Sequence, residues 1–232
     1  MEKTNSSDKT IFISRETIKR LISDVRDLMN DPLTDEGIYY KHDEEDMLVG
    51  YAYLVGPKDS LYYGGNYFFK FKFPSNYPHS PPKVTYITNN GIIRFHPNLY
   101  KSGKVCLSIL NTWKGEQWSG CQSIRSVLLT LISILDNKPL LHEPGISEKH
   151  KDFENYTKII KFTNLEFSIL TILQPEILKS HYNNIYFYYM LFKDDIINNI
   201  KNNKPNIVDI IEKNKNKKIE ILKTGLYNME YK

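Results

Sequence analysis

Apolar and polar positions fall into a regular pattern from Ser14 onward. Ile18, Leu21, Ile22, Val25, Leu28 and Met29 recur at the spacing of one helix face, with Arg15, Lys19, Arg20 and Arg26 on the others. Asn30-Asp31-Pro32 ends this helix, because proline disfavours helical backbone in the residue before it. Three strands are predicted next. Met47 to Val55 is rich in Val, Leu and Tyr and stops at Gly56-Pro57. After a Gly64-Gly65 turn, Tyr67, Phe69, Phe71 and Phe73 alternate with Lys70 and Lys72, the period of a half-buried strand with its aromatic face inward. Four prolines between Pro74 and Pro82 exclude regular structure there, and Val84 to Thr88 makes the third strand.

The second long helix has the clearest pattern. Ile124, Val127, Leu128, Leu131, Ile132 and Leu135 form a wide apolar stripe, Ser123 is placed to cap its start, and Pro139 closes the far side. Leu129, Thr130 and Ser133 fall on its outer face. Beyond Glu148 the chain reads as helical over Tyr156 to Phe167 and Pro175 to Ile200, with Ile185, Tyr188, Tyr189 and Phe192 placed to pack back onto the core. Asn202 to Lys218 is a polar interruption and Ile219 to Tyr231 a last short helix, while residues 1 to 10 are polar and expected to be disordered. Helices that follow the strands, rather than alternate with them, argue for an α+β fold. The expected division is a disordered N-terminus over 1–13, a core over 14–167 and a helical C-terminal extension over 168–232.

Composition narrows the function. A length of 232 residues suits one large domain, or a domain with an extension, and 41% hydrophobic residues supports a sizeable core. A net charge of +4 is too small to imply nucleic acid without a clustered basic face. Two cysteines do not make a disulfide framework, and a reactive thiol fits a reducing compartment. With no run of membrane-span length and no apolar secretion core at the start, a cytoplasmic or nuclear protein with no membrane partner is expected.

The candidate chemistry lies in Phe95 to Leu110, FHPNLYKSGKVCLSIL. A thiolate at Cys106 can accept an acyl group and hand it on, and Asn98, 8 positions earlier across a Lys-Ser-Gly-Lys turn, can donate to the oxyanion that develops. On its own, a cysteine in an apolar run is more often a small buried hydrophobe. A zinc site from Cys106, Cys121 and His96 lacks a CxxC pair and a fourth ligand. A cysteine hydrolase needs a histidine base against the thiol, and sequence places none of the six histidines there.

The His-Pro-Asn triplet, the Cys in VCLSIL, Trp118-Ser119 and a helix beginning near Ser123 closely resemble the ubiquitin-conjugating (E2) family. The longer run through NTWKGEQWS resembles its Z-type branch, which also carries a helical C-terminal extension. The resemblance covers Ser14 to Phe167 and is strongest from Phe95 to Leu135. It implies an antiparallel meander sheet flanked by helices. It also implies that Cys106 takes ubiquitin or a ubiquitin-like modifier as a thioester from an activating enzyme (E1) and passes it to a lysine of a protein substrate, usually with a ligase (E3). By the same resemblance Asn98 stabilises the oxyanion, Glu143 in His142-Glu143-Pro144-Gly145 orients or deprotonates the amine, and His96 and Pro97 brace the turn. Arg15, Lys19 and Arg20 would dock the activating enzyme, Leu129, Thr130 and Ser133 would hold the donor, and His79, Gly120 and Cys121 would lie in the ligase-binding loops. No metal or organic cofactor is implied, since ATP is consumed upstream, and no nucleic acid. Three departures bear on the ligase: Ser108 stands where the common core has Asp, Gly120-Cys121 where it has Pro-Ala, and His79 where the proline loop has an aromatic residue. The rival functions are a catalytically silent binding module of the same fold and a cysteine hydrolase.

Overall fold

Ser14 opens the first helix, α1 (Arg15–Asn30), by accepting a hydrogen bond from the Thr17 N–H at 3.0 Å. The computed structural model describes residues 12–202, so the expected disorder of residues 1–10 and the expected helix over Ile219 to Tyr231 lie outside the described residues. The buried face of α1 is Thr17, Leu21, Asp24 and Leu28, whereas Ile22 and Met29 of the predicted stripe are exposed. The face is rotated because its two polar members are satisfied on the inside. The Thr17 hydroxyl donates to the Ser75 carbonyl at 2.9 Å. Asp24 accepts from the Tyr77 hydroxyl, from the Ile124 N–H at 3.2 Å and from Arg20 Nε at 2.8 Å. One carboxylate thus joins α1 to the proline loop and to the start of the second helix, and a paired, fully hydrogen-bonded charge is tolerated where a lone one is not.

Four strands, rather than three, form an antiparallel sheet in chain order: β1 (Ile38–His42), β2 (Val49–Val55), β3 (Asn66–Lys72) and β4 (Lys83–Tyr86). β1 escapes sequence reading because it is only five residues long and pairs entirely with β2, Tyr39 opposite Tyr53 and Lys41 opposite Tyr51. The register places Ala52, Leu54, Tyr67, Phe69, Phe71 and Tyr86 on one face, where Phe95 meets Tyr67 and Tyr86. Gly65 allows a close approach at the head of β3: a Cβ there would lie 2.1 Å from Asn164 Oδ1. α2 (Ile124–Ser133) begins at the predicted cap, where Ser123 and Ser126 bond each other's backbone N–H.

The opposite sheet face is covered by the last of the C-terminal helices. α3 (Phe153–Thr163) runs into a π-helical segment, Asn164–Thr171, followed by α4 (Pro175–His181), α5 (Asn183–Leu191) and further helix over 193–202. The wide segment is fastened to the head of β3, with Tyr67 Oη donating to Asn164 Oδ1 at 2.5 Å and Asn66 Nδ2 to the Ser168 carbonyl at 2.8 Å. Phe68 stacks on Tyr188 at 6.0 Å and on Phe192 at 6.3 Å, and Tyr51 meets Phe187 and Tyr188. Phe68 is therefore fully buried, and β3 is half-buried only at its Lys70–Lys72 end. Lys41 closes the rim, 3.2 Å from Asp195 and 2.8 Å from the Leu191 carbonyl. Among the described residues no helix is long and apolar enough to cross a membrane.

Candidate active site

Phe95 anchors the site. Its carbonyl accepts from the buried Tyr62 hydroxyl at 2.7 Å, and its ring sits among Tyr67, Tyr86 and Phe167. The chain then turns. His96 is wholly buried, and its Nδ1 accepts from the Asn98 N–H at 2.9 Å, so the neutral ring carries its proton on Nε2. Burial, then the neighbouring His142 ring at 4.8 Å and Arg94, hold the His96 pKa well below the ordinary histidine value. The hairpin reverses at Gly103, whose φ of 82° and whose closeness to the Tyr86 carbonyl, 2.9 Å from any added Cβ, both require glycine. On return, the Cys106 N–H donates to the Asn98 carbonyl at 2.9 Å, and Asn98 Nδ2 donates to the Cys106 carbonyl at 2.5 Å. Asn98 and Cys106 are thus locked side by side, as their spacing across the turn requires.

Cys106 is only 2% exposed, whereas Cys121 is open to solvent. After Cys106 comes a short 3-10 turn, Ser108–Leu110, ended by Asn111 in left-handed conformation with φ of 56°. Thr112 Oγ1 accepts from the Leu107 N–H at 2.9 Å and lies 3.0 Å from the Val105 and Leu107 carbonyls, which pins the following loop beside the thiol segment. Trp118 is held by its own N–H to Asn111 Oδ1 at 2.8 Å and by Nε1 to the Pro78 carbonyl at 2.6 Å.

Glu143 follows a 3-10 turn, Pro139–His142, and lies 3.5 Å from Arg94 Nη2. The same Arg94 nitrogen donates to the Pro97 carbonyl, and the guanidinium stacks over the Tyr100 ring at 4.0 Å. His142 pairs with Asp136 at 2.8 Å. Among the described residues no histidine hydrogen-bonds to the Cys106 thiol, and no group of three His, Cys, Asp or Glu side chains is placed to hold a metal ion.

A family model for the ubiquitin-conjugating enzyme matches residues 20–163. The chain belongs to the ubiquitin-conjugating enzyme family. It is 37% identical over 167 residues to ubiquitin-conjugating enzyme E2 Z of Danio rerio, an alignment covering 71% of this chain and 50% of that protein. The corresponding protein of Xenopus tropicalis is 36% identical over 175 residues, 72% of this chain and 55% of the relative. A probable ubiquitin-conjugating enzyme of Acanthamoeba polyphaga mimivirus is 31% identical over 185 residues, 74% of this chain and 13% of the relative. The chain therefore spans about half the length of the E2 Z relatives it matches.

The surfaces expected of a ubiquitin-conjugating enzyme separate as follows. Arg15 and Lys19 are exposed on α1, and Arg20 is half-buried and bonded within the chain. It is bound to Asp24 and donates to the Gly120 carbonyl at 2.6 Å and to the Gln122 carbonyl. His79 pairs with Glu16 of α1 at 3.1 Å, which puts the expected ligase loops, with Gly120 and exposed Cys121, against the same end of the molecule. On α2, Leu129 and Ser133 are exposed, while the Thr130 hydroxyl turns back to the Ser126 carbonyl at 2.8 Å. Sequence reading missed Arg94 and Asp24. Asp24 left a trace, a carboxylate four residues after Arg20, but Arg94 owes its place to contacts that no local pattern marks.

Proposed function

We propose that this chain carries ubiquitin or a ubiquitin-like modifier as a thioester on Cys106. The Cys106 thiolate attacks the thioester on an activating enzyme, whose own thiol leaves. A lysine amine, brought with or without a ligase, then attacks the new thioester, the C–S bond breaks and an amide bond forms. Asn98 donates to the oxyanion that develops when the lysine amine attacks the thioester, and Glu143 orients or deprotonates that amine. Arg15 and Lys19 meet the activating enzyme, and Leu129 and its neighbours hold the donor. The loops at His79 and at Gly120-Cys121 meet the ligase.

The supporting observation is the reciprocal bonding of Asn98 and Cys106 directly after the His-Pro-Asn turn. Shielding of the thiol favours this chemistry, since it slows hydrolysis of the thioester while loop movement admits a protein partner. The neutral, buried His96, with Nδ1 engaged, is unsuited to act as a hydrolase base. The transfer itself needs no metal or organic cofactor, ATP being consumed by the activating enzyme, and a free thiol of this kind suits the cytoplasm or nucleus. Incubation with activating enzyme, ATP and ubiquitin is expected to yield an adduct that excess thiol removes. Cys106→Ala should abolish it and Cys121→Ala should not. An adduct that persists in Cys106→Ala would refute the assignment, and a parent protein that charges with no modifier would be the silent binding module.

A further inference from the structure

Arg94 lies two residues before the His-Pro-Asn turn and has no part in the roles assigned so far. Its backbone is tied down by the Tyr156 hydroxyl, which donates to the Arg94 carbonyl at 3.4 Å. Its guanidinium lies 4.0 Å from the centre of the Tyr100 ring, a cation–π contact. Nη2 carries two hydrogens. One is donated to the Pro97 carbonyl, and the nitrogen lies 3.5 Å from Glu143 Oε2, close enough for an ion pair.

These contacts join the two sides of the site. Pro97 belongs to the turn that presents Asn98, and Asn98 is bonded to the Cys106 carbonyl. Glu143 belongs to a separate loop beyond α2, held at its base by the His142–Asp136 pair. We propose that Arg94 is a positioning residue that fixes the Glu143 carboxylate against the Pro97 turn and thereby aligns the incoming amine with the thioester on Cys106. The proposal rests on the reading of Glu143 given above. A half-exposed carboxylate on a loop samples several rotamers, and holding it in one removes part of the ordering that the attack would otherwise require. Charging, which involves no amine, does not use this contact.

The test is single-turnover discharge of preloaded thioester to free lysine over a series of lysine concentrations. It compares the parent chain with Arg94→Ala, Glu143→Ala and the double variant, each checked by thermal melting. Arg94→Ala is expected to charge normally and to lower the maximal discharge rate by about 10- to 100-fold. In the Glu143→Ala background it should have no further effect. Arg94→Gln keeps a donor for Pro97 and most of the side-chain length but removes the charge, so it guards against loss of fold and should discharge as slowly as Arg94→Ala. Parent-like discharge by Arg94→Ala, or an equal slowing in the Glu143→Ala background, would overturn the positioning role while leaving Glu143 in place. Parent-like discharge by Glu143→Ala would instead remove the role given to Glu143, and that of Arg94 with it.

Discussion

One hydrogen of the Asn98 side-chain amide is bound to the Cys106 carbonyl at 2.5 Å, and the proposed oxyanion role would use the other. Bracing and catalysis are therefore separable by experiment. Asn98→Ala is expected to load ubiquitin on Cys106 and then to discharge to lysine about 10²- to 10³-fold more slowly, the usual cost of losing such a donor. Discharge at the parent rate with a lowered melting temperature would make Asn98 a brace alone. His96 supports a different prediction. Its native pKa lies well below its value in the unfolded chain, about 6.5, so below that pH the unfolded chain binds a proton that the native ring does not. Its effect on stability is thus absent above about pH 6.5, and below it stability falls by about 1.4 kcal/mol per pH unit. Asn at this position keeps an acceptor for the Asn98 N–H but does not titrate. Urea unfolding at pH 7.5 and 5.5 should show a smaller loss of stability for His96→Asn than for the parent, and equal losses would contradict the assignment.

Among the elements, α2 was legible in its Ser123 cap and in the buried Ile124, Val127, Leu128 and Leu131, all set by local spacing, although the helix ends at Ser133, before Leu135 of the expected stripe. α1 was legible as a helix but not in its orientation. Apolar count favoured Ile22 and Met29, whereas the actual inner face includes Thr17 and Asp24, whose partners at Ser75, Tyr77 and Ile124 lie far along the chain. The same limit explains Phe68, since alternation predicts which side of β3 a residue faces and not what covers that side. The meeting of Asn98 and Cys106 was readable because they face each other across a short turn, while Arg94 and Glu143 meet from separate loops. Asp24→Ala tests the reading of α1. It removes the shared acceptor of Arg20, Tyr77 and Ile124 and should cost about 1–3 kcal/mol, the range for leaving a buried hydrogen-bonding group unsatisfied. A denaturation midpoint within error of the parent would show that α1 is not held through this carboxylate.

Across the whole molecule, the Phe95 segment and the helices over residues 183–202 lie on opposite faces of the sheet, and they are linked at its end where Phe167 meets both Phe95 and Tyr182. Phe95 packs against Tyr67 and Tyr86 on one side, and Phe192 and Tyr188 cover Phe68 on the other. The extension is thus part of the core's packing. Phe192→Ala, at a fully buried position, should destabilise by about 3–5 kcal/mol without changing the charging rate at temperatures where the fold persists. Slower charging by a protein that melts like the parent would place the extension in the reaction instead. The central claim is that Cys106 is the atom that carries the modifier. It is tested most directly by isolating the ubiquitin adduct without reductant, digesting it at mildly acidic pH and locating the bond by mass spectrometry. The modifier should be found on the sulfur of Cys106 and be released by excess thiol, whereas attachment to Cys121, or only to a lysine through a bond that survives thiol, would contradict the account.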